Sequence, residues 1–159
     1  MGPELEKAIN ELSLRMRMLR AIQEDSAPAD AFTERESLIL QLLNQQGQMT
    51  VTQIADAWPN VSESTISMTI TKLWRKRGLV SKTIDPQNQR STIVKLTEKG
   101  EKELDTFMQQ RSQRLKALFD SVQMTDVERT ALVSICQRGV KVLDQYLNSK
   151  SAGKKAEPV

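Results

Sequence analysis

The sequence of 159 residues contains no histidine and only one cysteine. Without an imidazole, the chain can form neither a Ser-His nor a Cys-His catalytic pair, and it lacks the commonest zinc ligand. A single cysteine excludes a disulfide within the chain. The six glycines are scattered singly, so the sequence has no glycine-rich phosphate-binding loop. These absences predict a protein that is not an enzyme and that holds no cofactor or metal ion.

Long apolar runs are also absent. No apolar segment approaches the roughly 20 residues that a membrane-spanning helix requires. Glu4, Glu6 and Lys7 stand where a signal peptide would be apolar. We therefore expect a cytoplasmic protein with one domain, residues 1–148. The tail, residues 149–159, has no apolar anchor and is predicted to be disordered.

The most informative stretch of the chain begins with a predicted helix. Ser62 can act as its N-cap, and Gly78 follows a cationic last turn, as a glycine often does at a helix C-terminus. The face predicted to be buried carries, at helical spacing, Ile66, Ile70, Leu73 and Arg77. The opposite face is short-chained, hydrogen-bonding and positive. Such a face suits close approach to base edges and phosphates.

The hydrophobic period changes from helical to alternating after this helix. Residues 79–84 and 91–96 predict two strands, and the turn-forming residues 85–90 lie between them. A basic helix followed by a hairpin with Arg90 near its tip predicts a winged helix. In this arrangement the helix enters a major groove of DNA, and the hairpin reaches the adjacent minor groove.

Positive charge is concentrated in the same segment. Residues 62–99 contain eight cations and three acids, whereas the whole chain has a net charge of only +3. A basic block on a slightly acidic remainder is typical of a protein that binds a polyanion. An acidic protein is the alternative partner, in which case the chain would be a winged-helix module for protein–protein assembly.

Long amphipathic helices are predicted on both sides of the winged helix, residues 33–97. One covers residues 4–25, and two lie within residues 98–148. Their apolar stripes exceed what the small winged helix can cover, so we expect them to be dimerisation helices. The predicted fold class is mainly α with a small β-hairpin wing, in a two-fold homodimer. Such a dimer suits a pseudo-palindromic site with half-sites about 10 bp apart.

Six short segments occur in a specific order and spacing: 51–55 (VTQIA), 61–67 (VSESTIS), 76–80 (KRGLV), 85–86 (DP), 90–91 (RS) and 96–100 (LTEKG). With these segments the chain resembles the multiple-antibiotic-resistance regulator (MarR) family of bacterial winged-helix repressors. The resemblance implies a homodimeric repressor of transcription that binds double-stranded DNA. It also implies a small phenolic or aromatic carboxylate effector, although an aromatic content of 4% offers little material for a stacking cage.

The helix face and the hairpin supply the predicted DNA contacts, which are Ser62, Ser64, Thr65, Ser67, Met68, Lys72, Arg75 and Arg90. The resemblance places Arg90 in the minor groove. Family wings usually carry an acid where this chain has Asn88. We expect Asp85 to support the wing instead, by holding either Arg90 or the base of the hairpin. Trp74 is predicted to pack in the core or at its rim rather than to stack on a base.

Overall fold

The computed structural model describes residues 2–25, 27–28, 31–58 and 60–154. The elements in chain order are α1 (Pro3–Asp25), α2 (Glu34–Gln46), β1 (Gln48–Thr50), α3 (Val51–Asp56), α4 (Glu63–Arg75), β2 (Val80–Asp85), β3 (Asn88–Leu96), α5 (Glu98–Val122) and α6 (Asp126–Lys154). The predicted class, mainly α with a β-hairpin wing, is confirmed. None of the helices in the described residues is both long and apolar enough to cross a membrane.

The chain divides into two compact units, residues 1–33 and 34–159. The sequence predicts one domain over residues 1–148, whereas the structure assigns α1 to a unit of its own. The apolar stripe of α1 is 42–54% exposed at Leu5, Ile9, Leu12, Met16 and Leu19. An amphipathic helix with its stripe exposed lacks the burial from which helices in proteins gain most of their stability.

The second unit has its hydrophobic core in residues 34–100, which we call the winged-helix lobe. Helices α2 to α4 and the sheet contribute side chains that are at most 1% exposed, among them Ile39, Leu40, Leu43, Ile54, Ile66, Ile70, Leu73, Leu79, Val80 and Val94. The predicted buried face of α4 is therefore confirmed.

The sheet has three antiparallel strands in the order β1-β3-β2. The sequence predicts only β2 and β3, because β1 is three residues long and pairs far along the chain, with residues 93–95 of β3. The hairpin also differs from the expected six-residue turn. Asp85 pairs with Asn88 after a register shift at Ile84, so that only Pro86 and Gln87 form the turn. Arg90 therefore lies within β3.

The sequence predicts capping boxes at three helix N-termini, formed by Thr33 and Glu36, Thr50 and Gln53, and Thr125 and Glu128. Thr50 and Gln53 form a complete capping box at the start of α3. Before α6, the backbone N–H and the hydroxyl of Thr125 each lie 2.8 Å from Glu128 Oε2, and Glu128 N–H donates to Thr125 Oγ1 at 3.3 Å. Hydrogen bonds from the amide and then the hydroxyl of Thr125 stabilise the charged carboxylate and hold the pKa of Glu128 below its usual value.

Helices α5 and α6 are long and mostly exposed. Leu104 of α5 is buried against the lobe, but the apolar residues that follow it at helical spacing, Met108, Leu115, Leu118 and Val122, are 38–59% exposed. Helix α6 continues to Lys154, six residues past the predicted end of the folded chain. No proline interrupts it before Pro158, and Ser149 donates its hydroxyl to Tyr146 O, a bond compatible with a helix. The rest of the predicted tail, residues 155–159, lies outside the described residues.

Candidate nucleic-acid interface

The N-terminus of α4 carries a group of linked hydroxyls. Ser62 is the N-cap, and its Oγ accepts a hydrogen bond from Thr65 N–H at 3.2 Å. The same oxygen lies 3.1 Å from Ser64 Oγ and 2.7 Å from Thr65 Oγ1. Three predicted DNA contacts are thus brought together by the local geometry of one cap. Their oxygens stand at the positive end of the helix dipole, where an anionic phosphate is favoured.

The exposed side of α4 continues this surface toward the C-terminus. Ser64, Met68 and Arg75 follow one another at spacings of four and seven residues, which place them on one face of the helix. The Met68 side chain is 74% exposed, although Met is an apolar residue. An apolar side chain on a polar helix face can contact the methyl group of thymine. Ser67 lies half-buried at the edge of this surface.

Lys72 is held more tightly than the sequence predicts. Its Nζ lies 2.9 Å from Oε1 of Glu36, a carboxylate that is only 1% exposed. The other oxygen of Glu36 lies 3.3 Å from Arg77 Nη1, and Arg77 Nη2 lies 3.8 Å from Glu103 of α5. Sequence reasoning assigned Glu36 to a capping box with Thr33 and placed Lys72 at base edges. The structure shows Lys72 in an ion pair that joins α4 to α2, because a buried carboxylate requires cationic partners.

Trp74 lies at the C-terminal end of α4 with two cations on its ring. The Arg75 guanidinium is 5.1 Å from the ring centroid, and Lys82 Nζ of β2 is 5.2 Å from it. The indole is 38% exposed, so Trp74 is not part of the buried core. Nothing in the sequence indicates that Lys82 belongs to the same cluster, because β2 and α4 meet only through the tertiary fold.

The hairpin is shaped by two side chains that bond to its own backbone. Asp85 Oδ1 accepts from Gln87 N–H at 2.9 Å, which fixes the turn. Asn88 Oδ1 accepts from Arg90 N–H at 3.1 Å, and Asn88 Nδ2 donates to Ser91 Oγ at 3.0 Å. The sequence predicts that Asp85 holds either Arg90 or the base of the hairpin, whereas this hydrogen bond joins it to the turn at the tip. Asn88 holds the backbone of Arg90, whose side chain is exposed.

The end of α4 is fastened to the start of α5 through backbone carbonyls. Thr97 Oγ1 donates to Gly78 O at 2.7 Å, and Lys99 Nζ donates to Arg77 O at 2.9 Å. Gly78 has a φ of +64°, a left-handed conformation that glycine adopts without strain. Gly100 packs so closely on Leu79 that a Cβ there would overlap the Leu79 carbonyl. These contacts fix α4 relative to the first turn of α5.

The charges of residues 62–99 separate into two groups. Lys72, Arg77 and Lys99 are in ion pairs with Glu36 or Glu103. Within the part of the chain that the structure describes, five cations have no carboxylate partner, namely Arg75, Lys76, Lys82, Arg90 and Lys95. Four of these five lie at the end of α4, on β2 or beside the hairpin turn, and Lys95 lies near the far end of β3. Unneutralised cations on this surface can bind phosphates.

Other chemistry has little support in the described residues. They contain no group of three or more Cys, Asp or Glu side chains that could hold a metal ion. Cys136 is exposed on α6. A shallow groove on that helix is lined by Cys136, Gln137, Val140 and Lys141, and none of these residues lies near the hairpin in sequence.

Comparison with known proteins agrees with this geometry. The profile of the winged helix DNA-binding domain family matches residues 32–100. No curated protein matches the sequence significantly.

Solved structures with a similar fold include several bacterial regulators. A mutant MarR from E. coli is 18% identical, with 88% of this chain and 98% of that chain covered and a TM-score of 0.68. FabT of Streptococcus pneumoniae, crystallised in complex with DNA, is 15% identical over 92% and 96% of the two chains, with a TM-score of 0.67. BpsR of Bordetella bronchiseptica, whose DNA binding is regulated by 6-hydroxynicotinic acid, is 23% identical over 84% and 98%, with a TM-score of 0.58.

The family profile indicates that residues 32–100 bind DNA. At these identities the structural neighbours establish the fold, and the profile establishes the class of the central segment. Residues 32–100 are thus a winged helix DNA-binding domain, and the chain has the fold of the MarR family that its motifs indicate.

Proposed function

We propose that this protein is a homodimeric transcriptional repressor that binds a pseudo-palindromic operator. In each protomer, α4 enters a major groove and the β2–β3 hairpin reaches the adjacent minor groove. One observation carries the proposal: cations without carboxylate partners lie along the end of α4 and the hairpin of a winged helix DNA-binding domain. Repression requires only that the bound protein occupies a promoter.

The residues proposed to contact DNA fall into three groups. The cap hydroxyls of Ser62, Ser64 and Thr65 bind phosphates or base edges, as short hydrogen-bonding groups at a helix N-terminus can. Ser67 and Met68 approach base edges or methyl groups, with Lys72 beside them in its ion pair. Arg75 binds the backbone, and Arg90 enters the minor groove, where narrow A·T-rich DNA concentrates negative potential.

The exposed apolar residues of the long helices support the homodimer. The side chains of Ile135, Leu143 and Leu147 on α6 are 51–60% exposed. The apolar residues of α5 between Met108 and Val122 described above are 38–59% exposed. Large exposed apolar stripes on a helix mark a protein interface. A second copy of the chain covers them and holds two recognition helices at a fixed separation.

A small aromatic or phenolic effector is the proposed means of release. BpsR, which has the same fold, responds to 6-hydroxynicotinic acid. A ligand releases DNA if it binds more tightly to a dimer geometry whose recognition helices do not match the operator spacing.

Selection of bound sequences from a random DNA pool tests the proposal. A palindrome with half-sites about 10 bp apart is expected. A single unpaired half-site would contradict the dimer. Recovery of no preferred sequence would contradict operator binding and would favour the assembly module, whose basic face meets an acidic protein.

Arg90→Ala tests the hairpin arm directly. It should weaken operator binding and lower the slope of log affinity against log salt by about one unit, because one phosphate-region contact is lost. Lys95→Ala is the matched control, since Lys95 is an exposed cation of the same strand but lies near its other end, opposite Ser81. Equal effects of the two substitutions would remove Arg90 from the interface.

A further inference from the structure

Trp74, Arg75 and Lys82 form a cluster that we call the Trp74 platform. Both cations lie about equally far from the ring centroid, at 5.1 and 5.2 Å, and the indole is 38% exposed. Such distances are within the range of attractive cation–π contacts. In the described residues neither cation is in an ion pair with a carboxylate.

The platform is located where α4 meets the hairpin. Trp74 and Arg75 are the last two residues of α4, and Lys82 is the third residue of β2. Lys82 pairs with Val94 in the β2–β3 ladder, so it shares the sheet face of that buried valine. At this position the Lys82 Nζ lies over the Trp74 ring.

The geometry of DNA indicates what part of the operator would lie at the junction between α4 and the hairpin. The proposed function places α4 in a major groove and the hairpin in the adjacent minor groove. One sugar–phosphate strand separates two adjacent grooves, so that strand must cross the junction between α4 and the hairpin. The Trp74 platform occupies this junction.

We propose that the Trp74 platform binds a backbone phosphate of DNA at the boundary between the two grooves, with Lys82 and Arg75 as ligands and Trp74 as a positioning residue. The inference rests on the proposed function and adds a contact to it. A carboxylate partner would neutralise the cations, whereas the face of the indole holds them without using their N–H donors. Because the Arg75 guanidinium and the Lys82 Nζ both lie over the Trp74 ring, the two positive charges are already close together in the protein without DNA.

The test uses operator DNA in which single phosphates are replaced by uncharged methylphosphonates. With the wild-type protein, one replacement at the groove boundary of each half-site should weaken binding about fivefold, the size expected for one charged contact. Lys82→Gln should weaken binding to unmodified DNA by a similar factor and lower the salt slope by about one unit. It should also abolish sensitivity to that one methylphosphonate. Because the neutralised group belongs to DNA, this result distinguishes a DNA phosphate from free phosphate in the buffer.

Lys95→Gln is the matched control for charge. It removes the same charge from a neighbouring strand, but Lys95 pairs with Ser81 and so lies on the opposite sheet face. Its methylphosphonate profile should match that of the wild type. If Lys82→Gln and Lys95→Gln give the same profile and the same affinity, the platform does not bind phosphate.

Trp74 is tested by two substitutions. Trp74→Leu keeps an apolar side chain but removes the ring, and it should reduce the methylphosphonate effect at the same position without a change elsewhere. Trp74→Phe keeps an aromatic face and should therefore restore most of the sensitivity of binding to that methylphosphonate. If Trp74 only stabilised the fold, Leu and Phe would not differ in this sensitivity. An equal profile for Leu and Phe overturns the positioning role. Wild-type protein that binds no selected sequence refutes the proposed function itself, whereas wild-type binding with an unaltered Lys82→Gln profile refutes only the platform.

Discussion

The winged-helix lobe and the long helices use their apolar residues in opposite ways. In residues 34–100 most large aliphatic side chains of α2, α4 and the sheet are buried, and Ile84 near the hairpin turn is the exposed exception. In α5 beyond Leu104 and throughout α6, apolar residues of the same types remain about half exposed. The lobe therefore completes its own core, while the long helices carry exposed apolar surface that the proposed dimer would cover. In that proposal, stability and association are encoded in different parts of the chain.

The largest expected effect is that of Gly100→Ala in the lobe. The new methyl group would overlap the backbone carbonyl of Leu79, which cannot rotate away as a side chain can. We expect a loss of about 4 kcal/mol in the free energy of unfolding, more than is usual for an added methyl group. Urea denaturation followed by tryptophan fluorescence measures it, because Trp58 and Trp74 both lie in the lobe.

Gly139→Ala is the matched control in the long helices. A Cβ at Gly139 in α6 meets no atom within 4 Å. Alanine should raise the helix stability by about 1 kcal/mol through its better propensity. A loss of dimer affinity instead would show that the partner approaches α6 at this glycine.

The second prediction compares two leucines. Leu40→Ala removes a fully buried side chain and should cost about 3 kcal/mol at every protein concentration. Leu143 is 60% exposed, so Leu143→Ala should leave the stability of the lobe unchanged but weaken dimerisation. Denaturation at two protein concentrations and analytical ultracentrifugation separate these effects. Equal losses in the lobe from both variants would contradict the distinction.

The third prediction concerns the buried carboxylate. Glu36→Gln leaves Lys72 and Arg77 facing a neutral group and should destabilise the lobe by about 2 kcal/mol, somewhat less than full removal of one partner from a buried pair. Glu98→Gln is its control, because Glu98 pairs with Lys102 in an exposed position that contributes little. Thermal melts of both variants suffice. Equal melting temperatures for both would mean that the Glu36 pair is not important for stability.

The smallest effect is expected at the start of α6. Hydrogen bonds from Thr125 lower the pKa of Glu128 below its usual value of 4.5. A carboxylate with a lowered pKa in the folded state stabilises that state above the unfolded pKa. This contribution is lost as the pH falls through the lowered folded pKa.

NMR titration of the Glu128 carboxyl carbon tests the shift. Its midpoint should lie below that of Glu128 in an unstructured peptide of residues 123–130. Thr125→Val should return the midpoint toward the usual value. A midpoint that Thr125→Val does not change would exclude the cap as the cause.

Local signals in the sequence predict much of the fold. The caps at Ser62, Thr50 and Thr125 and the buried face of α4 depend on residues a few positions apart, and all are found in the structure. The strands β2 and β3 are also predicted, although β2 is shifted by one residue and β3 begins three residues earlier in the structure. Each of these features depends on periodicity or on hydrogen bonds within one turn.

The features that sequence reasoning missed depend on distant residues. Strand β1 exists because residues 93–95 offer it a partner, and Glu36 is buried because Lys72 and Arg77 arrive from 36 or more positions away. The Trp74 platform likewise needs β2 to fold back beside α4. In the sequence Lys72 was another cation on a polar face, and only the structure separates it from Arg75 and Lys82.

The junction between α4 and α5 has a consequence for engineering. Thr97, Lys99 and Gly100 all contact main-chain oxygens of residues 77–79, and these oxygens are present whatever side chains α4 carries. This attachment therefore does not depend on the side chains of α4 that are proposed to contact DNA, except for Lys72, whose ion pair with Glu36 also joins α4 to α2. Exchanging the other outward-facing residues of α4 should retarget the protein to another sequence while its attachment to the rest of the molecule is preserved.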